Sequence, residues 1–223
     1  MATVSRSPLI VKSQIQRRPY RLVRRRESMD ATRRRIVEAA FGLHASVGPS
    51  RTTIAAIADR AGVQRHTVYA HFPDLDSLYE ACTTHGMAAT HMPESAPWQS
   101  IADPRERLRA GLGDLVGWYR VNANMLATIL ADVDPTAPTP TEPDPFESRM
   151  ADLFGALAEG WTHRDPETRH AFEAVLHHAM AFETWRSLTT GGLSDAAIVE
   201  LLVAVVGGVA DGSIASGLRP QRA

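Results

Sequence analysis

The stretch from Thr53 to Phe72, TIAAIADRAGVQRHTVYAHF, decides how this chain is read. Thr52 or Thr53 is suited to cap a short helix, because a threonine oxygen accepts from the open N–H groups of a first turn. Ile54, Ile57 and Ala58 then recur at the spacing of one helix face. Gly62 follows where the chain must reverse, and a residue without Cβ takes the left-handed backbone of such a turn freely. Gln64 opens a second short helix running to His71, with Val68 turned inward. Small Ala58 lets the two helices cross closely. The separations from Ala58 to Gly62, Val63 and Val68 are those of a helix-turn-helix.

In such a unit the second helix enters the major groove of DNA and its first residues meet base edges. Gln64, Arg65 and His66 are the candidate base readers, Arg65 being suited to a bidentate contact with guanine. Thr67, Tyr69 and His71 carry hydroxyl or imidazole donors suited to phosphate oxygens. Arg33, Arg51, Thr52 and Thr53 are further candidates for DNA contact from the residues before the unit. Upstream, Asp30 is placed to cap a helix whose apolar positions are Ile36, Ala40, Leu43 and Val47, ended by Gly48 and Pro49. Arg33, Arg34 and Arg35 would then sit in its first turns, the end at which the helix dipole disfavours cations and an external anion would offset the conflict.

This stretch resembles the TetR family of bacterial one-component transcriptional regulators. The matching run, Thr53 to Phe72, continues into Pro73–Leu78, and the close match spans about residues 30–81. The resemblance implies an all-α homodimer: a three-helix DNA-binding head with the helix-turn-helix, and a larger helical ligand-binding and dimerisation domain. It assigns residues 1–29 to a basic arm, 30–75 to the head and 76–223 to the effector-binding and dimerisation domain. It also assigns phosphate contacts to Thr67, Tyr69 and His71 and a helix cap to Thr53. Two positions depart from the family pattern. Leu75, between Asp74 and Asp76, stands where a lysine often opens the fourth helix, and His66 stands where glycine or proline is common. Asp74 still caps that helix, but a phosphate contact is missing, and the arginines before Ile36 are the candidates to replace it.

The charge distribution points the same way. Residues 1–70 hold 14 Arg/Lys and 4 Asp/Glu, whereas residues 71–223 hold 10 Arg/Lys and 21 Asp/Glu, so the net charge of −1 averages a basic part and an acidic one. Such asymmetry suits a basic segment that meets a polyanion. The first 28 residues have eight Arg/Lys, one acid and no sustained periodicity, and are expected to be largely disordered alone. They read as an arm following a DNA groove, as a solvated tail lying before a domain that begins cleanly at Met29, or as an organellar transit peptide. They lack the apolar core of a secretory signal. A single cysteine, Cys82, excludes an intramolecular disulfide framework and a cysteine-based zinc site. No apolar run approaches the roughly 18 residues that span a membrane.

Beyond residue 86 the patterns are helical and carry no catalytic signature. Residues 86–103 read as a loose connector. Leu108, Leu112, Leu115 and Tyr119 form one stripe, with Asn122 and Asn124 breaking it before a second segment from Met125 to Ala131. Asp132 to Pro145 holds five prolines and reads as a loop. Phe146, Met150, Leu153, Leu157 and Trp161 share one helix face; a helix from near Asp165 buries Phe172, Val175, Leu176, Ala179 and Phe182. The last buries Ile198, Leu201, Leu202, Val205, Val206 and Val209, a stripe broad enough to need a core neighbour or a second subunit. By resemblance, the two final long helices pair with their symmetry mates in a four-helix dimer interface.

Gly111, Gly113 and Gly117 superficially match a dinucleotide fingerprint, but the third glycine is one position late and no strand precedes them. His170, Glu173 and His177 share a polar face, read either as a metal-holding row or as a solvated or dimer-seam face; no metal or cofactor is expected. Cys82 reads as a packed residue or a redox sensor. Trp118, Tyr119, Met125, Leu126, Ile129, Phe154, Trp161 and Trp185 are the bulky candidates for an effector cavity, each equally suited to plain core. The expected function is a cytoplasmic bacterial repressor, dimeric on a palindromic operator and released by a small-molecule effector. The alternatives are an effector-independent DNA-binding activator or architectural protein, and a helical enzyme.

Overall fold

The computed structural model of the protein describes residues 17–132, 144–163 and 165–214. The regular elements among them are all helices. In chain order they are α1 (Arg17–Val47), α2 (Ile54–Ala61), α3 (Arg65–His71), α4 (Leu75–Ala89), α5 (Ala96–Gln99), α6 (Pro104–Leu130), α7 (Pro145–Ala158), α8 (Pro166–Met180), α9 (Phe182–Thr190) and α10 (Asp195–Ala210).

Helices α1 to α4 enclose one apolar cluster built on Ile36, Ala40, Ile57, Val68, Phe72, Leu78 and Cys82. The expected stripe on α1 is therefore the face that closes the head. Gly86 lets α4 lie against α1, since a Cβ there would come within 2.7 Å of the Phe41 ring. The cluster reaches Cys82, well inside α4. A second and larger cluster joins Leu108, Leu112, Leu115 and Tyr119 of α6 to Leu153 and Leu157 of α7, Leu176 of α8 and Ile198 and Val206 of α10. Helix α1 packs on α6, so the two clusters share a helix-helix seam.

Several expected boundaries shift. Helix α1 begins at Arg17, so Asp30 lies inside it and caps nothing, and Arg33 to Arg35 are mid-helix rather than in a first turn. Between Tyr20 and Val47 there is no proline and one glycine, and arginine, leucine and alanine are strong helix formers. That propensity carries the helix through a stretch that lacks an apolar stripe of its own. The remainder of the arm, residues 1–16, lies outside the described residues.

Helix α6 runs unbroken past Asn122 and Asn124. The Asn122 amide donates to the Trp118 carbonyl at 2.9 Å, satisfying itself within the helix instead of ending it. The connector after residue 86 is not loose. Helix α4 continues to Ala89, and Trp98 in α5 is buried with its Nε1–H donating to Asp114 at 2.7 Å. The proline-rich loop lies largely outside the described residues. Trp161 falls beyond the end of α7, where the buried Arg107 donates to the open carbonyls of Glu159 at 2.9 Å and Ala156 at 3.4 Å.

The expected single helix from Asp165 through Phe182 is split at Ala181, whose ψ of 136° is extended. The split leaves the Met180 carbonyl without its helical partner, and the Tyr119 hydroxyl donates to it. Thr184 similarly donates to the His178 carbonyl at 2.6 Å. In α10 the stripe is confirmed at Ile198, Leu202, Val206 and Val209, while Leu201 is exposed and Val205 half-buried. Gly111 lies within α6, where a Cβ would meet Leu157 at 2.5 Å; it is a close-packing glycine, not a phosphate turn.

Candidate nucleic-acid interface

Thr53 caps α2 by accepting from the Ala56 N–H at 3.2 Å. The helix ends at Gly62, at φ 66° and ψ 41°, and the Val63 N–H closes the turn by donating to the Ala58 carbonyl at 2.9 Å. The left-handed backbone needed there is the reason for glycine. Helix α3 then starts at Arg65, preceded by Gln64 in extended conformation with no side-chain cap bond. Val68, 1% exposed, and Phe72, 2% exposed, anchor α3 to the cluster below. With the helix pinned on that side, Gln64, Arg65, His66 and Tyr69 are left exposed, and Thr67 and His71 half-buried. The expected base readers and the Tyr69 hydroxyl thus share the solvent side of one short helix.

Each of the remaining candidates makes one contact within the protein. The Arg51 Nε–H donates to the Val47 carbonyl at 2.6 Å, closing the end of α1. The Thr52 hydroxyl donates to the Gly48 carbonyl at 2.8 Å, and the Thr53 hydroxyl serves the cap. The Arg33 guanidinium lies over the Phe72 ring, 4.5 Å from its centroid. Asp74 caps α4 by accepting from the Ser77 N–H at 2.8 Å, which holds its carboxyl below the usual carboxylate range. Leu75 beside it is 66% exposed, an apolar side chain held in water at the start of α4.

The helix-turn-helix segment is similar to that of the TetR family. Residues 36–82 match the sequence profile of the bacterial regulatory proteins of that family, and they coincide with the apolar cluster of the head. The HTH-type transcriptional regulator BetI of Burkholderia lata is 35% identical over 116 residues, covering 50% of this chain and 54% of that protein. The chain thus matches about half the length of that curated relative. The crystal structure of a TetR-like transcriptional regulator from Rhodococcus sp. RHA1 superposes with a TM-score of 0.50 at 18% identity, over 83% of this chain and 96% of that one. A TetR regulator from Haloarcula marismortui gives a TM-score of 0.48 at 17% identity, over 81% of this chain and 97% of that one. Among the described residues no helix is long and apolar enough to cross a membrane.

In the larger cluster, Trp118, Tyr119, Leu126 and Trp185 are buried, and Met125, Ile129, Phe154 and Trp161 are half-buried. The Tyr119 ring packs 5.5 Å from Phe182 and 6.1 Å from Trp185 between centroids, and burial raises its hydroxyl pKa. Phe154 stacks flat on His177 at 4.0 Å. Glu173 is held by Arg169 at 3.1 Å, so the histidine row is divided between a stacking contact and an ion pair. No three described His, Cys, Asp or Glu side chains group to hold a metal ion.

Two surface concavities stand out. One, of about 340 Å³, lies between α6 and α10 and is lined by Arg109, Gly113, Gly117 and Asp195. The other, of about 440 Å³, is lined by Thr90, His91, Asp114, Trp118 and Asn122. Of the eight expected lining residues, Trp118 alone lines either concavity, and it lines the second. Cys82 is buried with its Sγ 3.3 Å from His44 Nδ1, and burial pushes its thiol up to about 12, far from the thiolate a redox sensor needs.

Sequence reasoning missed two features. The continuation of α1 upstream of Asp30 was signalled by its arginine content. The anchoring of the head by Asp132, described below, had no signal, because its partner is 82 residues away.

Proposed function

We propose that the protein is a transcriptional repressor that binds a palindromic operator as a homodimer and is released when a small-molecule effector enters its body. The exposure of Gln64, Arg65, His66 and Tyr69 on the solvent side of α3, opposite buried Val68 and Phe72, carries this reading. Residues 30–75 form the DNA-binding head, residues 76–223 sense the effector and dimerise, and residues 1–29 contribute basic charge. Exposed Leu201 on α10, 41% accessible beside a buried apolar stripe, supports pairing of the two final long helices with a second copy. An effector acts only if it binds one arrangement of the two heads better than the other. DNase footprinting on a duplex selected from a random pool, repeated with a panel of aromatic small molecules, tests the whole reading. A two-fold footprint that one of them abolishes is expected; single-sided or sequence-independent protection overturns it.

The tight packing of Trp118, Tyr119, Phe182 and Trp185 favours a second reading, an effector-independent DNA binder. There the footprint is two-fold and no small molecule changes it.

A further inference from the structure

Helix α1 outruns the head. At about 1.5 Å per residue, the 11 residues from Leu22 to Thr32 extend roughly 16 Å beyond Arg33, whose guanidinium lies over the Phe72 ring. Residues 22–30 are all exposed, and because they continue one unbroken helix their direction is set by the packed half of α1. The 3.6-residue period places Leu22, Arg25, Arg26, Met29 and Arg33 on the side of α1 that carries Ile36, Ala40 and Leu43 further along. The face that closes the head therefore continues past it, with Leu22 and Met29 64% and 51% exposed and arginines between them.

The exit direction identifies what lies against this face. Phe72 directly follows α3, so Arg33 brings α1 out at the junction of α3 and α4, the end of the head that also exposes Tyr69 and Leu75. From Leu22 to Arg35 the helix carries six arginines against Glu27 and Asp30. Arg25, Arg26, Arg34 and Arg35 pair with no acid among the described residues. An exposed apolar leucine opens α4, while a cationic helix projects from the same end of the head.

We propose that the upstream part of α1 is a second DNA-contacting element, a rigid helix whose Arg25 and Arg26 neutralise backbone phosphates beside the groove that α3 enters. This rests on the reading of α3 as a DNA-binding helix. It replaces a flexible arm by a lever with fixed direction. The contact is independent of base sequence, since phosphates carry no direct sequence information.

The test measures affinity against salt for the full-length protein on two duplexes, one selected by the wild type from a random pool and one scrambled. Arg25→Ala/Arg26→Ala keeps helix propensity, which far-UV circular dichroism verifies, and Arg25→Lys/Arg26→Lys keeps the charge. With about 0.9 of slope per phosphate contact and two contacts from each protomer of the dimer, the alanine pair is expected to flatten the log–log slope by about 3.6 on both duplexes. Its affinity loss between 50 and 200 mM salt then becomes about a hundredfold smaller than that of the wild type. The lysine pair retains the wild-type slope. An unchanged slope for the alanine pair on a duplex that the wild type does select overturns this inference and leaves the role of α3 standing. A wild type that binds neither duplex overturns both. Vesicles of anionic and zwitterionic phospholipid form the last arm: retention on anionic vesicles that the alanine pair loses, with its DNA slope unchanged, assigns the helix to a lipid surface and overturns the DNA contact.

Discussion

The Asp132 carboxylate, just past the end of α6, accepts two hydrogen bonds from Ser50, one from its backbone N–H at 3.0 Å and one from its hydroxyl at 2.9 Å. The same carboxylate lies against Gly48, whose φ of 92° turns the chain out of α1. A Cβ on Gly48 would both strain that backbone and run into Asp132. The longest helix of the body thereby grips the turn that leads into the helix-turn-helix, so a displacement of α6 is felt where α2 begins.

Replacing Asp132 by alanine removes the acceptor of both bonds. A loss of about 1 kcal/mol is expected, which lowers the melting temperature by roughly 2–4 °C in a chain of this size. Amide exchange at residues 48–53 should quicken more than exchange in α8. Equal protection at Ser50 in both proteins would show that the clasp does not hold the turn.

The half-buried His44 ring sits between Cys82 Sγ and the Tyr79 ring, and burial lowers its pKa from 6.5. The unfolded chain then takes up the proton first as the pH falls. Stability supplied by the neutral ring is complete above about pH 7 and is lost as the pH drops through 6.5 toward the folded value. Denaturant unfolding between pH 7.5 and 5.5 should show a smaller loss for His44→Gln than for the wild type. Parallel pH profiles would remove His44 as the cause.

Tyr119→Phe deletes the donor to the Met180 carbonyl and leaves that buried oxygen unpaired at the break between α8 and α9. Such a group costs about 1–3 kcal/mol. Urea unfolding should show the midpoint moving down with little change in slope, and full wild-type stability in the variant would mean the break is held by packing alone.

Arg65 and Tyr69 should separate cleanly in binding. Arg65→Ala is expected to cost about 1–3 kcal/mol on the selected duplex and to relax preference at one base pair. Tyr69→Phe should weaken selected and scrambled duplexes alike. Competition binding with single-base variants of the selected site distinguishes the two, and uniform loss for Arg65→Ala would place that side chain on the phosphates.

The helix-turn-helix was legible because its determinants are local. Thr53, Ala58, Gly62 and Val68 act within one or two turns of each other, and each has the same role in the folded head. The apolar stripes were legible for the same reason, down to Ile198, Leu202 and Val206. Boundaries failed where a neighbour distant in sequence decides. Asn122 does not break α6, because its amide is satisfied by the Trp118 carbonyl one turn back, and α8 does end at Ala181, because Tyr119 is there to take up the Met180 carbonyl.

By itself, then, the sequence determined an all-helical chain whose base-reading candidates follow a glycine turn, since hydrophobic period, cap chemistry and the steric freedom of Gly62 all operate within a few residues. The tertiary structure decided which polar groups remain available to a partner. Thr52, Arg51 and Arg33 all look like DNA contacts in one dimension. Folding gives each of them one contact inside the protein, to the Gly48 carbonyl, the Val47 carbonyl and the Phe72 ring, while Arg65, Tyr69 and the upstream arginines of α1 face solvent. Which cation meets DNA depends on what else lies within hydrogen-bond reach, and that is settled only when the helices pack.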